Sequence, residues 1–339
     1  MSVMNVLRKS LTPATLSVLA GLAAVSLALA PAARAANTAS VPAAAGLHVT
    51  GKIDLGNLGA SFNNVLSEAT NGNVYYSRGS VVYVVKGDHA PVVALRAAGP
   101  VLAVTATSSD LLVEVGAKVS AYALSNARRL RTWSLPSIAK VTSAGLYAVG
   151  STVWAFTDWA TDESGFQYAN VDRFTLSSAV VHRVSANNVY PADMAANSAG
   201  LYYEGIIGTG DYVFRDQPSG SLRKHADVNI DAPLALAAGN VYLLAIHENQ
   251  GGNTYLDAYR GSTLGTLFSI RVADNDADIA GTGLGLLLLG ANKVSLLKTG
   301  NGHVAGSLSV PGAVTLVAGP SAGVLTVAAS TTYLLRLAG

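Results

Sequence analysis

The 339-residue sequence has no cysteine, and only 12% of its residues are charged. Without a thiol there is no disulfide framework, no thiolate metal site, no cysteine nucleophile and no cysteine for lipid anchoring. Few charges in a chain that is 50% apolar exclude a disordered or solvating polymer and call for extensive burial. Long apolar runs are scarce as well. Beyond residue 35 none approaches the roughly 20 residues of a membrane-spanning helix, and residues 284–289 form a short run flanked by Gly283 and Gly290. No helical period of useful length is present there either, which disfavours an α/β enzyme. Glycine is plentiful, at 34 residues. Lacking a Gly-X-Y period, these glycines indicate many tight turns rather than a collagen.

The first 35 residues stand apart. Arg8 and Lys9 precede a 15-residue apolar run at 16–30, and Ala33-Arg34-Ala35 is a small-x-small pattern. This is the layout of a secretory signal peptide cleaved after Ala35, and the run is shorter than a retained anchor requires. The expectation is a secreted or envelope-associated, extracytoplasmic protein with residues 36–46 as a flexible small-residue leader. Residues 1–35 contain Arg8, Lys9 and Arg34 and no acid, so they account for three of the 22 basic residues. The remaining 19 face 20 acidic ones. The basic pI near 8.7 therefore belongs to the targeting segment and does not indicate an acidic partner.

The rest of the chain repeats. Runs rich in Val, Leu and Tyr begin at Val74, Leu111, Val153, Leu201, Val241, Leu286 and Val324, at spacings of 37, 42, 48, 40, 45 and 38 residues. That is the period of a four-stranded propeller blade. Alternating segments flank each run, with Gly, Ser and Asn between them, as hairpins require. In the third unit, Leu146-Tyr147-Ala148-Val149 reads as the first strand. The seventh unit ends one strand short, and residues 47–55 form an orphan alternating strand. Pairing that strand outermost in the last blade closes the ring and covers an edge prone to aggregation. The expected fold is an all-β, seven-bladed β-propeller spanning 47–339.

The segment Tyr122-Ala123-Leu124-Ser125-Asn126-Ala127-Arg128-Arg129-Leu130-Arg131-Thr132-Trp133 resembles the repeat of PQQ-like (quinoprotein-type) propellers, a pattern close to Y-A-L-D-x-x-T-G-x-x-x-W. Leu296-Leu297-Lys298-Thr299-Gly300 is a second echo, with Thr-Gly at the expected turn. Secreted propellers of the YVTN type are equally compatible. Quinoprotein dehydrogenases carry a Trp in nearly every blade and commonly a vicinal cysteine pair. Here there are only Trp133, Trp154 and Trp159 and no cysteine, so the resemblance implies the fold and not the quinone cofactor. No Gly-His and Trp-Asp pair marks a WD repeat.

Candidate site residues follow from the loops of the longer units. Trp154 and Trp159 with Asp158, Asp162 and Glu163 offer an aromatic and acidic surface for a peptide or glycan. His247-Glu248 opens a polar segment of blade five, but Gly251 stands where a zinc-protease helix places its second His. Asp274, Asp276 and Asp278 alternate as in the start of a calcium loop, although Ile279 and Gly285 occupy the positions of its Gly and closing Glu. Asp193-Met194-Ala195 aligns with Asp278-Ile279-Ala280, which places both carboxylates at matching inner-strand positions, where both can face the channel. The other reading of these aspartates is turn capping.

No nucleophile and base lie at a legible spacing, and the six His are scattered. Arg128, Arg129 and Arg131 are too few for nucleic-acid binding. The leading expectation is a non-catalytic scaffold that binds an extracytoplasmic protein or glycan, with no cofactor other than calcium in prospect. The alternatives are a lactonase-like hydrolase with a divalent cation near Asp193 and Asp278, and a carbohydrate-binding propeller using Trp154 and Trp159.

Overall fold

The computed structural model describes residues 46–58, 66–68, 72–136, 141–159, 168–186, 194–207, 210–216, 222–226, 233–247, 251–273, 278–328 and 330–339. For 66–68, 141–143, 158–159, 168–169, 185–186, 204–207, 210–211 and 222–226 it describes the backbone alone. The segments read as signal peptide and leader lie outside the described residues, apart from Gly46.

The chain forms seven four-stranded antiparallel sheets. Strand β1 (His48–Gly56) comes first and belongs to the last sheet. Blade one is β2 (Leu66–Glu68), β3 (Val74–Arg78), β4 (Val81–Val85) and β5 (Val92–Arg96); blade two is β6 (Ala103–Ala106), β7 (Asp110–Val115), β8 (Lys118–Ala123) and β9 (Arg129–Ser134). Blade three is β10 (Val141–Val149), β11 (Thr152–Trp159), β12 (Tyr168–Thr175) and β13 (Val181–Ala186); blade four is β14 (Met194–Asn197), β15 (Gly200–Ile207), β16 (Gly210–Asp216) and β17 (Leu222–Ala226). Blade five is β18 (Leu234–Ala237), β19 (Asn240–His247), β20 (Asn253–Arg260) and β21 (Thr266–Arg271); blade six is β22 (Asp278–Thr282), β23 (Gly285–Gly290), β24 (Lys293–Leu297) and β25 (Val304–Ser309). Blade seven joins β26 (Ala313–Val317), β27 (Ala322–Ala328) and β28 (Thr331–Ala338) to β1, in the order β1-β28-β27-β26. The seven apolar runs found in the sequence are the seven second strands.

Burial explains those runs. A second strand is covered on both faces by neighbouring blades, so β23 is buried along its whole length and reads Gly-Leu-Leu-Leu-Leu-Gly without alternation. Outer strands face water and are largely exposed, as in β9 and β25, where even Leu130 and Val304 stand open to solvent. Seven apolar clusters fill the seven interfaces, one per neighbouring pair. Ile53 and Leu55 of β1 pack with Val74 and Tyr76 of blade one, and Tyr76 donates to the Leu55 carbonyl at 3.4 Å. Arg336 of β28 reaches the Gly72 carbonyl at 2.9 Å. The N-terminal strand thus ties the last blade to the first.

The inner strands of blades two, four, five and six have only four or five residues, rich in Ala and Gly, because they converge on the axis. A Cβ added to Gly281 would lie 1.7 Å from the Leu236 carbonyl oxygen of blade five. Blades six and seven touch through backbone, with a parallel bridge between Thr282 and Gly319.

The turns between third and fourth strands of blades two, five and six share one geometry. Ala127, Leu264 and Gly302 take positive φ angles of 55, 55 and 72°, and each N–H closes on the carbonyl four residues earlier. This overturns one detail of the repeat reading. Gly302 is the equivalent of Ala127, so Thr299-Gly300 occupies the place of Leu124-Ser125 and not of Arg128-Arg129, where the pattern puts Thr-Gly.

Candidate functional site

Within each blade, the connection into the first strand and the hairpin between second and third strands lie on one face. Of the described candidates, Asp158, Trp159 and His247 end second strands on that face and Asp278 opens an inner strand there, whereas Trp154 stands near the start of β11, toward the opposite face. Asp158, Trp159 and His247 sit in strands rather than at loop tips, because β11 and β19 run further than the sequence patterns indicate. Asp158 pairs with Ala169 and Trp159 with Tyr168, extending the β11–β12 ladder. His247 is the last residue of β19 and pairs with Asn253. Asp162, Glu163, Asp193, Glu248, Asp274 and Asp276 lie outside the described residues.

Trp154 is the third residue of β11 and is 2% exposed. Its indole N–H donates to Asp216 Oδ2 of blade four at 2.8 Å, and Arg173 Nη1 reaches the same oxygen at 2.9 Å. The third residues of β15 and β19 are Tyr202 and Tyr242, and they act in the same way. Tyr202 donates to the Gly261 carbonyl of blade five at 2.9 Å, and Tyr242 to the Thr299 carbonyl of blade six at 2.7 Å. Burial raises the Tyr242 hydroxyl above its ordinary pKa, against its hydrogen bonds with Asn240 and Thr299. Trp133 of β9 likewise donates to the Ser178 carbonyl of blade three at 2.6 Å. Trp154 is thus one of a series of buried aromatics that fasten blades two to six one to the next. It presents no free ring face with which to make the expected aromatic platform.

His247 is buried, and its Nε2 lies 2.8 Å from Asp257 Oδ2. Its ring stacks on Tyr255 at 4.5 Å. The pair fills the upper part of blade five, and this His is oriented by a neighbouring carboxylate within the blade.

Asp278 opens the inner strand of blade six and is 4% exposed. Its Oδ1 accepts from the Ile279 N–H at 2.7 Å, while its Oδ2 takes the Thr315 hydroxyl at 2.7 Å and the Leu316 N–H at 2.8 Å. Both oxygens serve a cap and a link to blade seven. The channel-facing carboxylate expected here is instead turned into the interface of blades six and seven. Among the described residues no group of three or more His, Asp or Glu is placed to hold a metal ion.

Sequence reasoning passed over Glu114. It is the fifth residue of β7, completely buried, and neither carboxylate oxygen has a partner among the described residues. It faces blade three, where Asp172 is also completely buried and is held by Arg183 Nε at 2.7 Å. Burial drives the Glu114 carboxyl well above its ordinary range, and the nearby Asp172 charge adds to the effect. Burial also raises Asp172, with Arg183 opposing. The only signal in the sequence is a lone acid inside the apolar run Leu-Leu-Val-Glu-Val.

No family model matches the chain, and no curated protein matches it. Solved structures are similar in fold. A chain of the mitotic checkpoint complex aligns at 13% identity and a TM-score of 0.63, covering 88% of this chain and 97% of its own length. The β-propeller domain of Cps50 (Swd1) from Myceliophteria thermophila aligns at 12% identity and 0.57, covering 85% and 99%. BamB from Moraxella catarrhalis aligns at 12% identity and 0.51, covering 86% and 99%. At these identities the likeness establishes the propeller fold.

Proposed function

We propose that the chain is an exported propeller acting as a non-catalytic scaffold, which binds a protein partner on the face that carries the hairpins between second and third strands. The observation that carries this reading is the fate of Trp154, His247 and Asp278. All three are spent on contacts within or between blades, so the ring is a rigid support and recognition falls to the connecting segments. The segments at 160–167 and 248–250 follow Trp159 and His247 in the chain. They are polar, and 160–167 carries Asp162 and Glu163. Polar loops on a rigid ring suit a protein surface better than an apolar small-molecule pocket. Export rests on Arg8, Lys9, the apolar run and Ala35.

The test is affinity capture from the extracytoplasmic fraction with tagged protein, beside a variant whose residues 160–167 are replaced by Gly and Ser. One protein enriched by the wild type and lost by the variant is the expected result. Equal enrichment by both overturns the assignment of the face. Absence of any enriched protein overturns the scaffold reading, and turnover of an ester or lactone in that case favours the hydrolase. N-terminal sequencing of the exported protein should begin at Ala36.

A further inference from the structure

The interface of blades two and three encloses a set of oxygen donors that its own hydrogen bonds do not satisfy. In blade three, Val153, Ala155 and Phe174 pack toward blade two. The register pairs Ala155 with Asp172 and Thr157 with Asn170, which brings Thr157, Asn170 and Asp172 to that same side. All three are buried, and Thr157 Oγ1 and Asn170 Oδ1 have no partner among the described residues. Glu114 faces them from β7. Counted from the inner hairpin it stands level with Phe156, between the levels of Ala155 and Thr157, and the small Ala155 side chain leaves room beside it. Arg183 holds Asp172 from the outer side through Oδ1, and its Nη2 comes only to 3.5 Å from Oδ2.

Three fillers can be weighed. A proton on Glu114 removes its charge but serves one acceptor. A buried water supplies two hydrogens and no charge. A cation answers both the charge and the unpaired oxygens. The donors are all oxygens, with no nitrogen or sulfur among them, which selects hard cations over zinc or copper. We propose that Glu114, Thr157, Asn170 and Asp172 form a site for a hard cation, calcium first, that fastens blade two to blade three. Five side-chain oxygens come from these residues, and backbone carbonyls or water complete the six to eight that calcium takes. The site is separate from Asp274, Asp276 and Asp278.

Full-length protein stripped with a chelator should regain a higher melting temperature on addition of Ca2+, Mg2+ or Na+ singly, and elemental analysis should find one retained ion per chain. Glu114→Gln should abolish both effects. Thr157→Val keeps the side-chain shape and should raise the half-saturating cation concentration about tenfold or more. Asp276→Asn should change neither. A melting temperature indifferent to every cation, with no ion retained, overturns the proposal. So does a cation response that persists unchanged in Thr157→Val, which decides the matter even if Glu114→Gln does not fold.

Discussion

Trp154 and Asp216 are 62 residues apart in the chain, and their 2.8 Å hydrogen bond joins blade three to blade four. The same carboxylate oxygen holds Arg173, so the indole N–H is among the donors that keep a 3% exposed Asp satisfied. Tyr202 and Tyr242 repeat the arrangement at the next two interfaces.

Trp154→Phe keeps an aromatic ring but withdraws the donor. The cost is a weakened anchor for a buried carboxylate plus a small cavity, together about 2–4 kcal/mol. Chemical denaturation should show the midpoint falling with an unchanged slope. If Trp154 instead met a ligand, the substitution would leave stability intact and reduce binding.

The ring closure can be tested by two deletions. Removing 47–56 takes away β1, whose Ile53 and Leu55 are 3% and 2% exposed, and bares the edge of β28. Burial of those two side chains alone is worth roughly 3–6 kcal/mol, which for a domain of this size means about 5–10 °C in Tm. Removing 36–46 should shift Tm by no more than about 2 °C. Equal melting of the two truncated proteins, measured by circular dichroism, would refute the closure.

The ring was legible in the sequence because propeller physics writes itself locally. A second strand buried on both faces must be an apolar run, and residues 286–289 can hardly be read otherwise. Strand ends were less legible. Asp158, Trp159 and His247 resemble loop residues, since a polar side chain at the end of a strand is satisfied by partners that no local pattern reveals. Trp154 was misread for a related reason: its partner Asp216 lies one blade away. Glu114 was hidden by position, because one acid near the end of an apolar run reads as the end of the strand, and only the packing of blade three encloses it.

Alkaline pH should weaken the junction of blades seven and one. Burial is the main cause that pushes the Tyr76 hydroxyl up to about 12 from 10.0, with Tyr83 and Asp54 adding and Arg78 opposing. The unfolded chain gives up this proton near pH 10. Below that pH both states hold the proton and the stabilisation is intact. As pH rises from 10 to 12 the unfolded state binds fewer protons than the folded one, and stability falls. The loss is on the order of 2–3 kcal/mol. In Tyr76→Phe the decline of Tm over this range should be shallower, and an identical slope in the two proteins would refute the assignment.

Gly281 tests how tightly the inner strands converge. An alanine there would drive its Cβ to 1.7 Å from the Leu236 carbonyl oxygen, and that oxygen belongs to backbone, which cannot rotate aside. Blades five and six would have to separate at the axis, where Ala280 and Ile279 are completely buried. Overpacking of this kind costs about 1–3 kcal/mol when side chains can adjust, and a backbone obstacle places Gly281→Ala at or above the top of that range. Gly306 of β25 supplies the control, since a Cβ there meets nothing within 4 Å. Gly306→Ala should be neutral or gain about 0.4–1 kcal/mol through the unfolded state. Parallel denaturant melts of the two variants decide the point: comparable stabilities would mean that the inner strands yield, and the close-packed centre would have to be abandoned.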